Sequence, residues 1–208
     1  MFLGKTLIQS RLDELIGFPD RRDRKPENAQ AANLDLRVGD EIYISGNPTP
    51  RRLSDAEPYV VLQPGQFALV KTLERITMPS DLVGLISIRS RYKMQGLVNI
   101  SGFHVDPNFK GPLFFAVQNV GPSEIRLRYK DEVFMMMWAY VQSADDSLGP
   151  KIGPERITLE QMAQLGGATQ TISSLREQIR SLEVQLRIYG GILAAAVVGI
   201  LIQLLRNK

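Results

Sequence analysis

The sequence predicts a mainly β domain followed by a helical C-terminal region. Between residues 33 and 141 the chain carries nine short apolar runs, and Gly, Pro, Asn and Asp separate these runs at close, regular intervals. Short strands at this spacing are typical of a sandwich, jelly roll or barrel rather than of alternating strands and helices. Beyond residue 170 the apolar residues instead recur in steps of three and four, which predicts helix.

Residues 1–27 are predicted to form an N-terminal helix and a charged loop. The apolar residues of the first 17 positions fall on one helical face, which predicts a short amphipathic helix packed on the domain. Polar residues interrupt the apolar ones, so the segment lacks the continuous apolar stretch of a signal peptide. The apolar residues are Leu7, Ile8, Leu12, Leu15 and Ile16, and the interrupting residues are Gln9, Arg11, Asp13 and Glu14.

The β domain is predicted to span residues 28–144. Its strands are separated by turn signals such as Val38-Gly39-Asp40, Gly46-Asn47-Pro48 and Asp106-Pro107-Asn108. The predicted strands are Leu34–Leu36, Glu41–Ile44, Tyr59–Leu62, Phe67–Thr72, Leu82–Ile88, Leu97–Ile100, Leu113–Asn119, Ile125–Tyr129 and Val133–Val141.

Residues 145–169 are predicted to be a linker with a short helix, which Thr158 caps together with Gln161 and which Gly166-Gly167 ends. Over residues 170–187 the apolar residues occupy the a and d positions of a heptad repeat, which predicts a coiled coil. The alternative is a helix packed on the domain. The heptad positions are Ile172, Leu175, Ile179, Leu182, Leu186 and Tyr189.

Residues 188–205 are predicted to form a single transmembrane anchor. Their one strongly polar residue is Gln203, and Arg187 and Arg206 flank the run. Eighteen helical residues rise roughly 27 Å, close to the hydrocarbon thickness of about 30 Å. The alternative is a helix buried in the core of an oligomer. The prediction therefore places the protein at a membrane, with the β domain in the cytoplasm.

Composition excludes several classes of site. The chain has no cysteine, which removes disulfides, thiolate metal sites and cysteine nucleophiles. Its only histidine is His104, whereas a catalytic zinc site usually needs two or three. The net charge of +3 is too weak to indicate nucleic acid as a partner.

Two polar, turn-rich segments could carry chemistry, residues 30–39 and residues 88–111, and the second contains two candidate groups. Arg89, Ser90, Arg91 and Lys93 place three cations and a hydroxyl within five residues, a composition that suits phosphate oxygens as well as an ordinary basic loop. Asp106, in a Pro-Asn turn, could serve as a general base, bind a ribose or only cap its turn.

The chain resembles the dCTP deaminase and dUTPase superfamily over roughly residues 28 to 141. The segment NLDLRVGDEIY is similar to the opening strand of the family. The segment LQPGQFALVKTLERITMPSDLVGLISIRS is similar to its central strands and to its Arg-Ser phosphate motif. The segment GFHVDPNFKGPLFFAVQNVG is similar to its Asp-Pro hairpin.

This resemblance implies a distorted β-barrel or jelly roll of the dUTPase-like type that forms a homotrimer. Pyrimidine deoxynucleotide sites would lie between subunits, with Mg²⁺ bound through the nucleotide phosphates. Arg89 and Ser90 would bind phosphate, with Arg91 and Lys93 nearby. Asp106 would activate water or contact the sugar, and Phe109 would pack on the nucleoside.

Two positions depart from the deaminase pattern. Met94 stands where deaminases of the family have an arginine, and Ala116 stands where they have the glutamate that handles the proton of the attacking water. The resulting hypothesis is a membrane-anchored, trimeric deoxynucleotide-binding protein without deaminase activity, acting as a sensor or scaffold. The alternatives are an active dCTP deaminase or dUTP/dCTP pyrophosphatase and a purely structural trimer.

Overall fold

The computed structural model describes residues 1–142, 149–165 and 172–206; within the last range, the side chains of residues 172–177, 194, 196–202 and 204 lie outside that description. The chain divides into two compact units, Met1–Thr169 and Gln170–Lys208. The first unit contains the β domain, and the second contains one long helix. The predicted boundaries at residues 27, 144, 169 and 187 remain predictions.

The strands in the described part of the first unit form two sheets. The larger sheet has the strand order β12-β9-β5-β2-β11-β6-β8. In addition, β1 pairs with β5, β3 with β2 and β7 with β9. The smaller sheet pairs β10 with β4. The strands are β1 Ile16–Gly17, β2 Leu34–Ile44, β3 Arg51–Arg52, β4 Tyr59–Leu62, β5 Phe67–Thr77, β6 Leu82–Ile88, β7 Leu97–Asn99, β8 His104–Val105, β9 Phe109–Asn119, β10 Ile125–Arg128, β11 Glu132–Tyr140 and β12 Lys151–Ile152.

The core lies between the long strands. The rings of Phe115 and Phe134 stack with their centroids 3.9 Å apart, and Trp138 is fully buried beside them in the same core cluster. Residues 113–119 of β9 and all of β10 bury every second side chain, which is the pattern of strands with one face inward. The mainly β fold predicted from the sequence is confirmed.

The N-terminal segment closes one side of this core. It forms two short helices, α1 Lys5–Ser10 and α2 Leu12–Leu15, rather than one. Ile8, Leu12 and Leu15 are fully buried as predicted, whereas Leu7 is 39% exposed.

The two strands predicted at Leu34–Leu36 and Glu41–Ile44 form one continuous strand, β2. The turn signal at Gly39 does not break it, because the glycine lies against the neighbouring strand: a Cβ there would stand 2.6 Å from the carbonyl oxygen of Thr72. The β2–β5 register shifts between Val38 and Ile42, so this glycine marks a bulge rather than a turn.

The helix predicted after the linker is α4, Leu159–Leu165. Its predicted capping box is confirmed. The Thr158 backbone N–H donates to Gln161 Oε1 over 2.9 Å, and the Gln161 backbone N–H donates to Thr158 Oγ1 over 3.2 Å. The predicted end at Gly166-Gly167 lies outside the described residues.

Helix α5, Ile172–Arg206, forms the second unit. The predicted helical state of the heptad region is confirmed, and Ile179, Leu182 and Leu186 are exposed in the single chain. Pairing of this region as a coiled coil is not supported by any contact of the described residues. The positions Ile172 and Leu175 lie among the side chains that are not described.

The prediction of a transmembrane anchor at residues 188–205 is wrong, and so is the membrane localisation that rested on it. Among the described residues, no helix is long and apolar enough to cross a bilayer.

Candidate functional site

The predicted phosphate motif begins where β6 ends. Arg89 follows the last residue of β6, and Ser90–Lys93 form the single helical turn α3. Strand β11 lies between β2 and β6 in the sheet, so Arg89 at the end of β6 meets one carboxylate from the adjacent strand β11 and one from β2 beyond it. Arg89 Nη1 lies 3.1 Å from Asp35 Oδ2 on β2 and also contacts the carboxylate of Glu132 on β11.

The two carboxylates differ in their environment. The Asp35 side chain is only 2% exposed, whereas that of Glu132 is 35% exposed. Burial raises the pKa of the Asp35 carboxyl, and the neighbouring Arg89 guanidinium only partly offsets this effect. Asp35 Oδ2 is within ion-pair distance of Arg89 but has no aligned hydrogen bond among the described residues, so charge rather than hydrogen bonding dominates this contact.

A polar cavity of about 310 Å³ lies beside Arg89. Arg91 also lines this cavity. Lys93 instead donates a hydrogen bond of 2.8 Å to the hydroxyl of Ser87, and Ser90 is exposed at the start of α3. The residues that line the cavity are Arg89, Arg91, Tyr92, Lys130, Asp131 and Glu132.

Asp106 lies in the turn that connects β8 to β9. Asn108 takes a left-handed conformation, with φ of 63°, and so closes the turn. Asp106 Oδ1 lies 3.2 Å from His104 Nε2, and Oδ2 accepts a hydrogen bond of 2.6 Å from Lys151 Nζ. The Lys151 bond is the main cause that lowers the pKa of the Asp106 carboxyl, and His104 adds a smaller effect in the same direction. Asp106 is therefore ionised near neutral pH.

A second cavity, of about 300 Å³, contains Asp106 and His104 in its wall. Phe109 lines it as well, although this half-buried ring also packs on the main core, and a Cβ on Gly153 would stand 2.7 Å from the ring. Phe109 is thus a fixed part of the wall. The cavity is lined by Ile86, Ser101, Gly102, His104, Val105, Asp106, Phe109, Pro112, Leu113, Phe114, Pro154 and Gln161.

The two predicted clusters lie apart within one chain. Their cavities share no lining residue. The register of β6 and β8 places His104 opposite Leu85, four residues before Arg89. At about 3.3 Å per residue this is a separation of roughly 13 Å along the strand. Within one chain the two clusters therefore do not form one assembled site. The cluster around Arg89 is called the cation-rich half of the candidate site, and the cluster around Asp106 is called the carboxylate half.

The two positions that depart from the deaminase pattern carry no group that can transfer a proton. Met94 is 88% exposed at the end of the α3 turn. Ala116 lies opposite Leu69 in the β5–β9 ladder and packs in a small apolar cluster with Tyr43 and Ile157. A methyl and a thioether can neither accept nor donate a proton to an attacking water.

Among the residues of these clusters that were not predicted as site residues are Asp35, Lys130, Glu132 and Lys151. Asp35 stands in the NLDLRVGDEIY segment, so its motif was the available signal. The other three are ordinary surface residue types in the sequence, and only the sheet order and the return of the chain at Lys151 bring them to the site.

Comparisons with known proteins agree with the resemblance. The dCTP deaminase-like family profile matches residues 2–140. A dCTP deaminase of Pyrococcus abyssi is 38% identical over 105 residues, which cover 50% of this chain and 66% of that protein, or just under two thirds of its length. A protein of Methanothermobacter thermautotrophicus named dCTP deaminase, dUMP-forming, is 27% identical over 152 residues, which cover 65% of this chain and 77% of that protein.

A solved structure gives the same result for the fold. The 2'-deoxycytidine 5'-triphosphate deaminase of Agrobacterium tumefaciens superposes with a TM-score of 0.56 at 17% identity. The superposition covers 66% of this chain and 48% of that protein. At this identity the likeness concerns the β fold, including the predicted dUTPase-like barrel.

Proposed function

Because the chain belongs to the dCTP deaminase-like family, we propose that it binds a pyrimidine deoxynucleoside triphosphate and hydrolyses it to the monophosphate and pyrophosphate. The observation that carries this proposal is the Asp106 carboxylate, which is ionised, 43% exposed and set in a cavity wall. A carboxylate in this state can accept the proton of an attacking water.

Phosphate binding is assigned to the cation-rich half. The Asp35 and Glu132 contacts involve Nη1 of Arg89, and the guanidinium carries further N–H donors on Nε and Nη2 that can bind phosphate oxygens. Arg91 shares the cavity, and Ser90 can add a hydroxyl donor. Lys93 is the most adjustable member, because its bond to Ser87 is exposed and can be exchanged for phosphate.

The chemical step is assigned to Asp106. Asp106 accepts a proton as the water oxygen forms a bond to the α-phosphorus, and the bond from that phosphorus to the bridging oxygen breaks. The electron pair leaves with pyrophosphate, and the base remains attached to the deoxyribose monophosphate. Phe109 would pack against the nucleoside from the same cavity wall.

The family resemblance implies a homotrimer, and the separation of the two halves within one chain supports sites that lie between its subunits. Arg89 of one subunit and Asp106 of the next would complete a site that neither chain forms alone. A closed ring of identical, head-to-tail interfaces gives each subunit one of each half.

Mg²⁺ would be bound with the nucleotide. The described residues contain no group of three or more His, Asp or Glu side chains that could hold an ion. Mg²⁺ commonly takes most of its ligands from phosphate oxygens and water, with one or two carboxylates, so this donor set fits an ion delivered by the triphosphate. The ion would neutralise phosphate charge.

The first test is release of pyrophosphate from dUTP and dCTP in the presence of Mg²⁺. We expect turnover by the wild-type protein and a loss of at least about 100-fold in Asp106→Asn, because an amide cannot accept the proton. Asp81→Asn is the matched control, since this aspartate lies at the start of β6 and lines neither cavity. Equal turnover by Asp106→Asn and the wild type would overturn the assignment.

A mixing experiment tests the shared site. Arg89→Ala and Asp106→Asn are each expected to be nearly inactive. When they are unfolded together and refolded, about a quarter of the sites in random trimers should receive both native halves and regain activity. Recovery no greater than the sum of the separate variants would contradict a site between subunits.

Deamination of dCTP is the second candidate, favoured by the names of the relatives at 38% and 27% identity. Ala116 stands against it, because this alanine occupies the position where deaminases of the family have the glutamate that handles the proton. Ammonia release from dCTP distinguishes the two reactions. Pyrophosphate without ammonia supports hydrolysis alone, and both products together would show that another group handles the proton.

A further inference from the structure

The segment that follows the barrel returns to the candidate site. Residues 151–156, named the strap here, begin with β12, which adds to β9 as a parallel strand. The Lys151 backbone N–H donates to Asn108 O over 3.0 Å, and the Gly153 N–H donates to Lys110 O over 2.8 Å. The strap is thereby bonded to the start of β9, directly after the turn that carries Asp106.

The strap also packs against the first residues of β9. Gly153 lies over the Phe109 ring and against Gly111, where a side chain would not fit: a Cβ on Gly153 would stand 2.7 Å from the ring, and one on Gly111 would stand 3.3 Å from the Cα of Gly153. Farther on, Glu155 forms a two-bond ion pair with Arg75 of β5, with a 2.6 Å hydrogen bond from Nη2 to Oε1. Contacts on both sides of Pro154 therefore hold the strap in the wall of the Asp106 cavity.

We propose that Lys151 is a positioning residue of the nucleotide site, which holds the Asp106 carboxylate in place through the strap. The role of Lys151 in hydrolysis rests on the proposed function, whereas its contact with Asp106 does not. The Lys151–Asp106 bond of 2.6 Å restrains Oδ2, and His104 Nε2 lies 3.2 Å from Oδ1, so each carboxylate oxygen has a neighbouring side chain that orients it.

The charged and titratable groups that act on Asp106 are Lys151 from β12 and His104 from β8. The lysine has the larger influence, and it lowers the pKa of the Asp106 carboxyl. Loss of the ammonium should therefore move the titration of Asp106 to higher pH, toward the ordinary value of about 3.9. The same loss would release one carboxylate oxygen to rotate within the cavity.

His104 provides a direct readout, because it is the only histidine in the chain and contacts Asp106. Its imidazole resonances, followed by NMR in the full-length protein between about pH 2.5 and 6, should record the titration of Asp106 without any nucleotide. We expect the recorded midpoint to rise in Lys151→Met and to stay low in Lys151→Arg, which retains the charge. Lys110→Met is the matched control: it removes an exposed lysine that pairs with β12 only through its backbone.

A second variant tests the strap itself. Glu155→Gln leaves Lys151 in place but weakens the ion pair to Arg75, so we expect a smaller rise of the same midpoint. Asp106→Asn should abolish this titration step and thereby identifies it. An unchanged midpoint in Lys151→Met would overturn the role of Lys151, and an unchanged midpoint in Glu155→Gln would overturn the role of the strap.

Hydrolysis then tests the functional part. With dUTP and Mg²⁺, Lys151→Met should lower kcat about tenfold with a smaller change in KM, and Lys151→Arg should restore most of it. A raised midpoint with unchanged kcat would confine Lys151 to a structural contact and overturn its positioning role. If the wild-type protein releases no pyrophosphate, the proposed function fails while the NMR result on the contact still stands.

Discussion

The two halves of the candidate site hold their functional groups in opposite ways. In one half, the Arg89 cation lies between the carboxylates of Asp35 and Glu132. In the other, the Asp106 carboxylate lies between the Lys151 ammonium and the His104 imidazole. In each half, the charge of the group that would contact the substrate is thus already balanced by neighbouring side chains of the same chain.

The halves also differ in burial, and this difference decides how firmly each group is fixed. The Asp35 side chain is 2% exposed and stands on the central strand β2, whereas that of Lys151 is 59% exposed on a two-residue strand. A buried ion pair is costly to break because the remaining charge is left without solvent. Exposed pairs exchange partners readily. We therefore expect the cation-rich half to be rigid and the carboxylate half to be adjustable.

The largest effect should come from the buried scaffold of the rigid half. Arg37, two residues after Asp35 on β2, donates to Glu74 through Nε over 2.7 Å, and both side chains are 1% exposed. Arg37→Met should lower the free energy of unfolding by about 3–5 kcal/mol, because Glu74 would remain as an unpaired buried charge. Chemical denaturation measures this value. Arg52→Met, which removes an exposed pair with Asp40, should cost less than about 1 kcal/mol. Equal losses in the two variants would show that burial does not decide the strength of these ion pairs.

A smaller effect is expected for ligand binding. Arg89→Ala should weaken the binding of dUTP by roughly 10- to 100-fold, since charge-assisted hydrogen bonds are each worth about 1.5–3 kcal/mol. Calorimetric titration measures it. Arg126→Ala removes an exposed arginine from the smaller sheet and should leave the affinity unchanged. If the two variants bind dUTP equally well, Arg89 is not a phosphate ligand.

The smallest effect concerns stability in the adjustable half. Lys151→Met should lower the free energy of unfolding by less than about 1 kcal/mol at pH 7, because the pair is largely exposed. Since the pKa of Asp106 is lower in the folded state, its contribution is present above the unfolded value of about 3.9 and is lost as the pH falls through the folded value. The gap between variant and wild type should therefore close below about pH 4. A gap that stays constant down to pH 3 would mean that Lys151 acts through packing rather than charge.

Much of the fold was predictable because it follows from local patterns. The strands Tyr59–Leu62 and Leu82–Ile88 have the predicted bounds, and the Thr158 cap has the predicted geometry. The predicted break in β2 was wrong because only the tertiary structure shows Gly39 against the Thr72 backbone. A glycine required for close packing and a glycine required for a turn look the same in one sequence.

The candidate site was less predictable than the fold. Arg89 and Asp106 stand in recognisable motifs, but their charge partners come from distant parts of the chain. Lys151 is 45 residues from Asp106, and Glu132 is 43 residues from Arg89. Pairings of this kind depend on sheet order and on where the chain returns, which periodicity does not encode.

The burial of Trp138 has a practical consequence for separating the two units. It is the only tryptophan in the chain, lies fully inside the β core, and its indole N–H has no hydrogen-bond partner in the described part of the protein. Its fluorescence therefore reports the solvation of the barrel core, whereas far-ultraviolet circular dichroism is weighted toward the 35-residue helix α5. Denaturation curves that coincide by both optical probes would mean that barrel and helix unfold as one cooperative unit, and curves that separate would give each its own stability.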